Sequence, residues 1–123
     1  MRESGSASVL AVAAMTILLI MVPAVIDMGA VVMARAKAHN AADAAALAAA
    51  QELVSGGNPS AAAAKYAGLN GADVAGLVLE QESVTITASV DCRLTFVDKF
   101  GIKIGPVRGQ GKAELKNVAG LDY

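Results

Sequence analysis

Reactive side chains are sparse in this chain, and their spacing decides which chemistry is open to it. His39 is the single histidine and stands one helical turn from both Arg35 and Asp43, so an ordinary solvated contact at i, i+4 is expected rather than catalysis. A metal site needs more imidazole, thiolate or clustered carboxylate ligands than the sequence supplies. Cys92 is the only cysteine, which excludes an intrachain disulfide. Its parity in an alternating stretch predicts a buried, inert thiol; an intermolecular disulfide is the alternative. The glycine-rich run Gly101–Gly111 does not lie between a strand and a helix N-terminus, so it lacks the setting of a phosphate-cradling loop. Lys99, Lys103, Arg108, Lys112 and Lys116 outnumber acids locally and read as a solvated strand face. The other reading makes them a contact surface for an acidic neighbour or lipid headgroups. The formal charge of −1 offers no global field for nucleic acid, and interleaved exposed aromatics are missing. We therefore expect no enzyme, no catalytic residues, no cofactor, no metal and no nucleic-acid partner.

What remains is chemistry of packing. Alanine occupies positions 30, 34, 38, 42, 46 and 50, a series at i, i+4 along which another helix can approach closely. Arg35, Lys37, His39, Asn40, Asp43, Gln51 and Glu52 are spread around the same helix, leaving no wide Leu/Ile face to hold it against its own domain. Packing among copies or against partner helices follows, with Ala34, Ala38, Ala42 and Ala46 as the contact ridge and Asp27 and Asp43 as polar registers. Asp27 itself reads as a solvated residue at the membrane boundary, or as an intramembrane partner for a cation on a neighbouring subunit.

The element that must position these residues is one long helix. From Ala7 to Ile26 the chain runs apolar, about the twenty residues a helix needs to cross a bilayer. It passes without a turn signal into an alanine-rich stem through Val54, and alanine gives a helix no reason to stop. The rod is about 48 residues, or roughly 72 Å. Ser4-Gly5-Ser6 reads as a flexible lead-in. Pro23 cannot donate to the carbonyl of Leu19, so a helix kink or loosened turn is expected there. The domain boundaries are thus 1–6 flexible, 7–26 transmembrane, 27–54 stem, and 55–123 a small α+β domain. The apolar run could instead be a secretory signal ending near Val22-Pro23-Ala24. Charge does not settle topology, since Arg2 stands on one side and Arg35 and Lys37 on the other.

Gly56-Gly57-Asn58-Pro59 ends the rod. Pro59 and Ser60 open a short second helix to about Leu69, closed by Asn70-Gly71. The period then changes to two. In Val84–Phe96 the even positions are apolar and the odd ones polar, the mark of a half-buried strand. A second alternation runs Val107–Lys116, with Val107, Gly109, Gly111, Ala113 and Leu115 inward. Val74–Leu79 suggests a further strand, and Ile102–Ile104 a short one. The sum is a small antiparallel sheet with one wet face. With two Tyr, two Phe and no Trp, its core is poor enough that the domain should lean on the rod or on a partner.

These residues together resemble a known family. Gly5-Ser6-Ala7, Val25-Ile26-Asp27-Met28-Gly29, Ala34-Arg35-Ala36 and Asn40-Ala41-Ala42-Asp43-Ala44-Ala45-Ala46-Leu47-Ala48 are similar to the amino-terminal segment of TadE/TadG-like proteins of the bacterial tight-adherence (Flp) pilus assembly system, over roughly Glu3–Glu52. The resemblance implies a pilin-like, bitopic protein of the bacterial cytoplasmic membrane, N-terminus inside and sheet domain extracytoplasmic. It would act as a minor pilin or assembly factor of the pilus or a related secretion apparatus. Its implied partners are the lipid bilayer and other pilus or secretion-system subunits met through the N-terminal helix, with a homo-oligomer also open. TadE-like prepilins carry glutamate at the fifth position after the processing glycine; here that position after Gly5 is Leu10, which fits the TadG-like branch or the short TadE-like proteins better. The rival reading, from the signal-peptide alternative, is a secreted binding module or effector.

Overall fold

The computed structural model describes residues 2–115. Helix α1 runs Arg2–Ser55, 54 residues and roughly 81 Å long. It includes Ser4-Gly5-Ser6, so the expected flexible lead-in is helical, and it stays helical through Pro23. Nothing in the alanine-rich stretch competes with the backbone ladder, so the helix stops only at the first strong breaker. Gly56 takes φ 78°, a left-handed conformation that glycine adopts without steric cost, and the Gly57 N–H returns to the Glu52 carbonyl at 2.7 Å.

Helix α2 spans Pro59–Leu69, as the sequence indicates. Asn58 caps it, its side chain accepting from the Ala61 N–H at 3.1 Å, and Pro59 sits where its missing donor costs nothing. Strands β1 (Asp73–Leu79), β2 (Ser83–Val90) and β3 (Val107–Glu114) follow. They form an antiparallel sheet in the order β1-β2-β3, giving the α+β class. Leu79 pairs with Val84 across the first hairpin, and Ile86 pairs with Leu77 on one side and Gly111 on the other.

One face of this sheet lies on α1. Val84, Ile86, Ala88 and Val90 of β2 are buried, as the alternation requires. They meet two alanine clusters. Nearer the C-terminal end of α1, Val84 and Ile86 pack with Ala45, Ala46, Ala49 and Ala50 of α1 and Ala63 and Ala67 of α2. Nearer its apolar half, Ala88 and Val90 pack with Ala34, Ala38, Ala41, Ala42 and Ala72. The domain leans on the rod, as its thin core demanded.

Three details depart from the sequence reading. The alternation Val84–Phe96 carries a strand only as far as Val90. Beyond it no neighbour is left to pair, because Val90 opposes Val107, the first residue of β3, and Ser89 opposes Asp73, the first of β1. Ile102–Ile104 is not a strand; a short 3-10 turn, η1, occupies Val97–Phe100 instead. Cys92, expected buried, is half-buried just past the end of β2. Lys116, at the end of the expected third strand, lies outside the described residues.

Candidate functional site

The alanine ridge of α1 is the first candidate, and the structure places it inward. Ala34, Ala38, Ala42, Ala46 and Ala50 are all buried and Ala30 is half-buried. The five buried alanines face this chain's own sheet and α2. Lack of a wide Leu/Ile face therefore does not keep the stem off its own domain, contrary to expectation. Large side chains are unnecessary where the opposing surface has none. A Cβ built on Gly111 would stand 2.5 Å from the Ala42 carbonyl carbon, and one on Gly109 would stand 2.5 Å from that of Ala38. β3 therefore lies with its backbone against the helix backbone, and two glycines meet two alanines. That close approach brings many atoms of both backbones into contact.

Asp27 is the second candidate, and it is not the solvated boundary residue expected of it. It is only 5% exposed, and its partners belong to its own chain. Oδ1 accepts from the Thr95 N–H at 3.1 Å and from the Phe96 N–H at 3.4 Å. Oδ2 accepts from the Phe96 N–H at 3.1 Å and the Val97 N–H at 3.0 Å. The carboxylate thus gathers consecutive backbone donors at the start of η1, where no sheet partner is available for them. Charge-assisted bonds of this kind offset the desolvation of a buried carboxylate. They also fix the β2–β3 connection beside the point where the apolar run ends.

Asp43 is exposed on the stem, between the buried Ala42 and the half-buried Ala44. It is not brought together with Asp27, which lies more than four helical turns away at about 3.6 residues per turn. His39 lies over β3, its Nδ1 3.3 Å from the Gln110 carbonyl oxygen, rather than only beside Arg35 and Asp43. Pro23 is half-buried within α1.

Other chemistry is thin. At the far end of the sheet the Ser83 hydroxyl donates to Glu80 Oε2 at 2.7 Å, and Lys112 Nζ lies 3.7 Å from the same oxygen. The Ser83 hydroxyl, and after it the Lys112 charge, hold the Glu80 carboxyl below its ordinary value. Glu80, Ser83 and Lys112 line an open polar depression of about 430 Å³. Among the described residues no group of His, Cys, Asp and Glu is arranged to hold a metal ion.

The first half of α1 has a different character. Val9, Leu10, Met15, Leu18, Leu19 and Ile26 are each more than half exposed. The helix is long and apolar enough to cross a membrane. Two hydroxyls of this region are satisfied within the helix: Thr16 donates to the Val12 carbonyl at 2.8 Å and Ser8 to the Ser4 carbonyl at 3.0 Å. Such pairing is what polar groups require where no water reaches.

Comparison with known proteins gives one correspondence. Residues 5–52 match the model of the Tad family, Flp pilus-assembly TadE/G-like. The matched stretch is the apolar segment together with most of the stem, and it includes Asp27, Asp43 and the alanine ridge. No curated protein and no solved structure matches the chain. The match and the apolar helix fit a pilus-assembly component held in a membrane by a single span.

Proposed function

We propose that this protein is a membrane-anchored, pilin-like component of a tight-adherence pilus or a related secretion apparatus, acting as a minor pilin or assembly factor. The observation that carries the reading is the continuity of α1. One 54-residue helix joins an exposed apolar segment to a stem on which the sheet is mounted. Asp27, immediately after the apolar run, bonds to the β2–β3 connection, so the sheet domain is tied to the end of the anchor. The role is structural: the helix holds and the domain presents. The chain sits in the bacterial cytoplasmic membrane with its N-terminus inside and its sheet outside.

The contacts with partners are made by what the fold leaves open. The alanine face of the stem is occupied by the chain's own sheet and α2, so neighbouring subunits meet the exposed apolar segment and the opposite side of the stem, where Met33, Asp43, Leu47 and Val54 stand. Within lipid, apolar helices associate through packing and lipid entropy rather than water exclusion, and Pro23 supplies a point at which the helix can bend to accommodate a neighbour.

Two measurements test this. Intact-mass analysis of the native protein should show a chain that retains residues 7–26; loss of everything through Ala24 would favour a secreted module instead. Thiol labelling of Ser55→Cys on a Cys92→Ser background in whole cells should succeed from outside. Protection from a membrane-impermeant reagent until lysis would put the domain in the cytoplasm and overturn the assignment.

A further inference from the structure

The connection between β2 and β3 carries apolar surface that the fold leaves open. Phe100 is 70% exposed, Ile102 58% and Ile104 46%, and Lys99 and Lys103, both exposed, alternate with them. Two contacts fix where this segment stands. Asp27 holds the N–H groups of Thr95, Phe96 and Val97, and the Phe96 ring meets Phe100 edge to face at a centroid distance of 5.1 Å. The direction follows from β3: Gly111 lies on Ala42 and Gly109 on Ala38, so tracing the strand back toward Val107 leads toward the apolar end of α1. The connection is therefore the end of the sheet domain nearest the lipid-soluble part of the helix. Beside it α1 itself exposes Val25, Ile26, Met28, Val32 and Met33.

We infer that Phe100, Ile102 and Ile104 form a second membrane contact, seated in the headgroup–acyl boundary of the bilayer that α1 crosses, with Lys99 and Lys103 meeting lipid phosphates. The inference rests on the reading of α1 as a membrane-spanning helix. A protein partner could meet an apolar patch at any height along the stem. A bilayer meets only the height at which α1 leaves it, and that is where Asp27 pins this segment. The composition suits the place as well: aromatic and aliphatic groups enter the boundary by roughly 5–10 Å, while lysine stems lie along apolar surface and their ammonium groups reach the phosphates. With a span and a second contact, the domain is held at one rotation and tilt instead of swivelling on a single helix.

The test uses the full chain with Cys92→Ser, reconstituted in phosphatidylethanolamine–phosphatidylglycerol vesicles and carrying a bimane label at one of three sites. Leu18→Cys reports the span, Ile102→Cys the contact, and Gln81→Cys the distal turn between β1 and β2. Ile104→Cys is a second probe of the contact should a label at 102 alter the far-UV circular dichroism. The expected result is strong quenching at 18 and at 102 by a nitroxide on the lipid acyl chain, with protection from aqueous iodide, and the reverse at 81. Lipid quenching at 18 combined with iodide quenching at 102 and 104 overturns the second contact while leaving the anchor in place. Protection at 102 and 104 from both quenchers means a protein surface covers them, and overturns it too. Iodide quenching at 18 removes the anchor itself and the contact with it.

Discussion

Gly111 of β3 lies so close to Ala42 of α1 that a Cβ on the glycine would meet the alanine's carbonyl carbon at 2.5 Å. The obstruction is helix backbone, which cannot swing aside as a side-chain tip can. Gly111→Ala must therefore push the strand off the helix, and overpacking of this kind costs about 1–3 kcal/mol. Gly109→Ala, facing Ala38 in the same way, should behave alike. Denaturant unfolding of the full chain in detergent, followed by circular dichroism, should show an earlier transition for both. An unchanged midpoint would mean that the strand does not lie on the helix at this distance.

The same contact determines what substitutions on the stem do. Ala42 and Ala46 are buried within the chain, so Ala42→Leu and Ala46→Leu should destabilise the protein itself, again by about 1–3 kcal/mol. Leu47 is 56% exposed, and Leu47→Arg should leave the unfolding midpoint within about 0.5 kcal/mol of the parent. If subunits meet the open side of the stem, Leu47→Arg lowers recovery of co-purifying proteins from membranes while the fold is intact. Equal recovery with Leu47→Arg and parent would remove that side of the stem from the assembly surface.

Asp27 predicts a local effect. Removing its carboxylate leaves the backbone donors of Thr95, Phe96 and Val97 without this acceptor, and a hydrogen bond to a charged group contributes about 1.5–3 kcal/mol. Asp27→Ala should accelerate hydrogen exchange at these amides and loosen the β2–β3 connection. Asp27→Asn keeps one carbonyl oxygen and should fall between alanine and the parent. Exchange in β1, to which none of these Asp27 hydrogen bonds runs, should change little in either variant. Parent-like protection at 95–97 in Asp27→Ala would show that the carboxylate does not hold the connection.

The order of elements was legible in the residues. Apolar length and uninterrupted alanine gave the helix, Gly56 and Pro59 gave its end and the start of α2, and alternation gave the inward face of β2. Two things were not. The partner of the alanine ridge stayed hidden, because a search for large apolar side chains passes over a surface made by Gly109 and Gly111, whose contribution is the absence of a Cβ. The role of Asp27 stayed hidden because its partners are backbone N–H groups, which every residue but proline carries and which leave no signature in residue type. The alternation itself misled beyond Val90: Cys92, Leu94 and Phe96 keep the inward parity, and Leu94 is buried, yet strand pairing has already ended. Parity reports which side is covered; it does not report whether a neighbouring strand is present.

At the far end of the sheet, Glu80 gives a pH prediction. The hydroxyl of Ser83 donates to its carboxylate and Lys112 stands beside it, and together they hold its pKa below the ordinary value. A carboxyl depressed in the folded state binds its proton less readily than in the unfolded chain. Its stabilising contribution is therefore full above the unfolded value, about 4.3, and fades as pH falls through the lower folded value. Because Glu80 is solvent-exposed and the ion pair is screened, the contribution is small. The expected outcome is that Glu80→Gln matches the parent in acid and is the less stable of the two at neutral pH. Glu80 Oε2 accepts both contacts, so Ser83→Ala should remove the larger part of the pH dependence seen in the parent and Lys112→Met the smaller. Thermal unfolding at pH 3 and pH 7 for the parent and these variants measures it. A Lys112→Met effect larger than that of Ser83→Ala would make the ion pair, rather than the hydroxyl, the source of the depression.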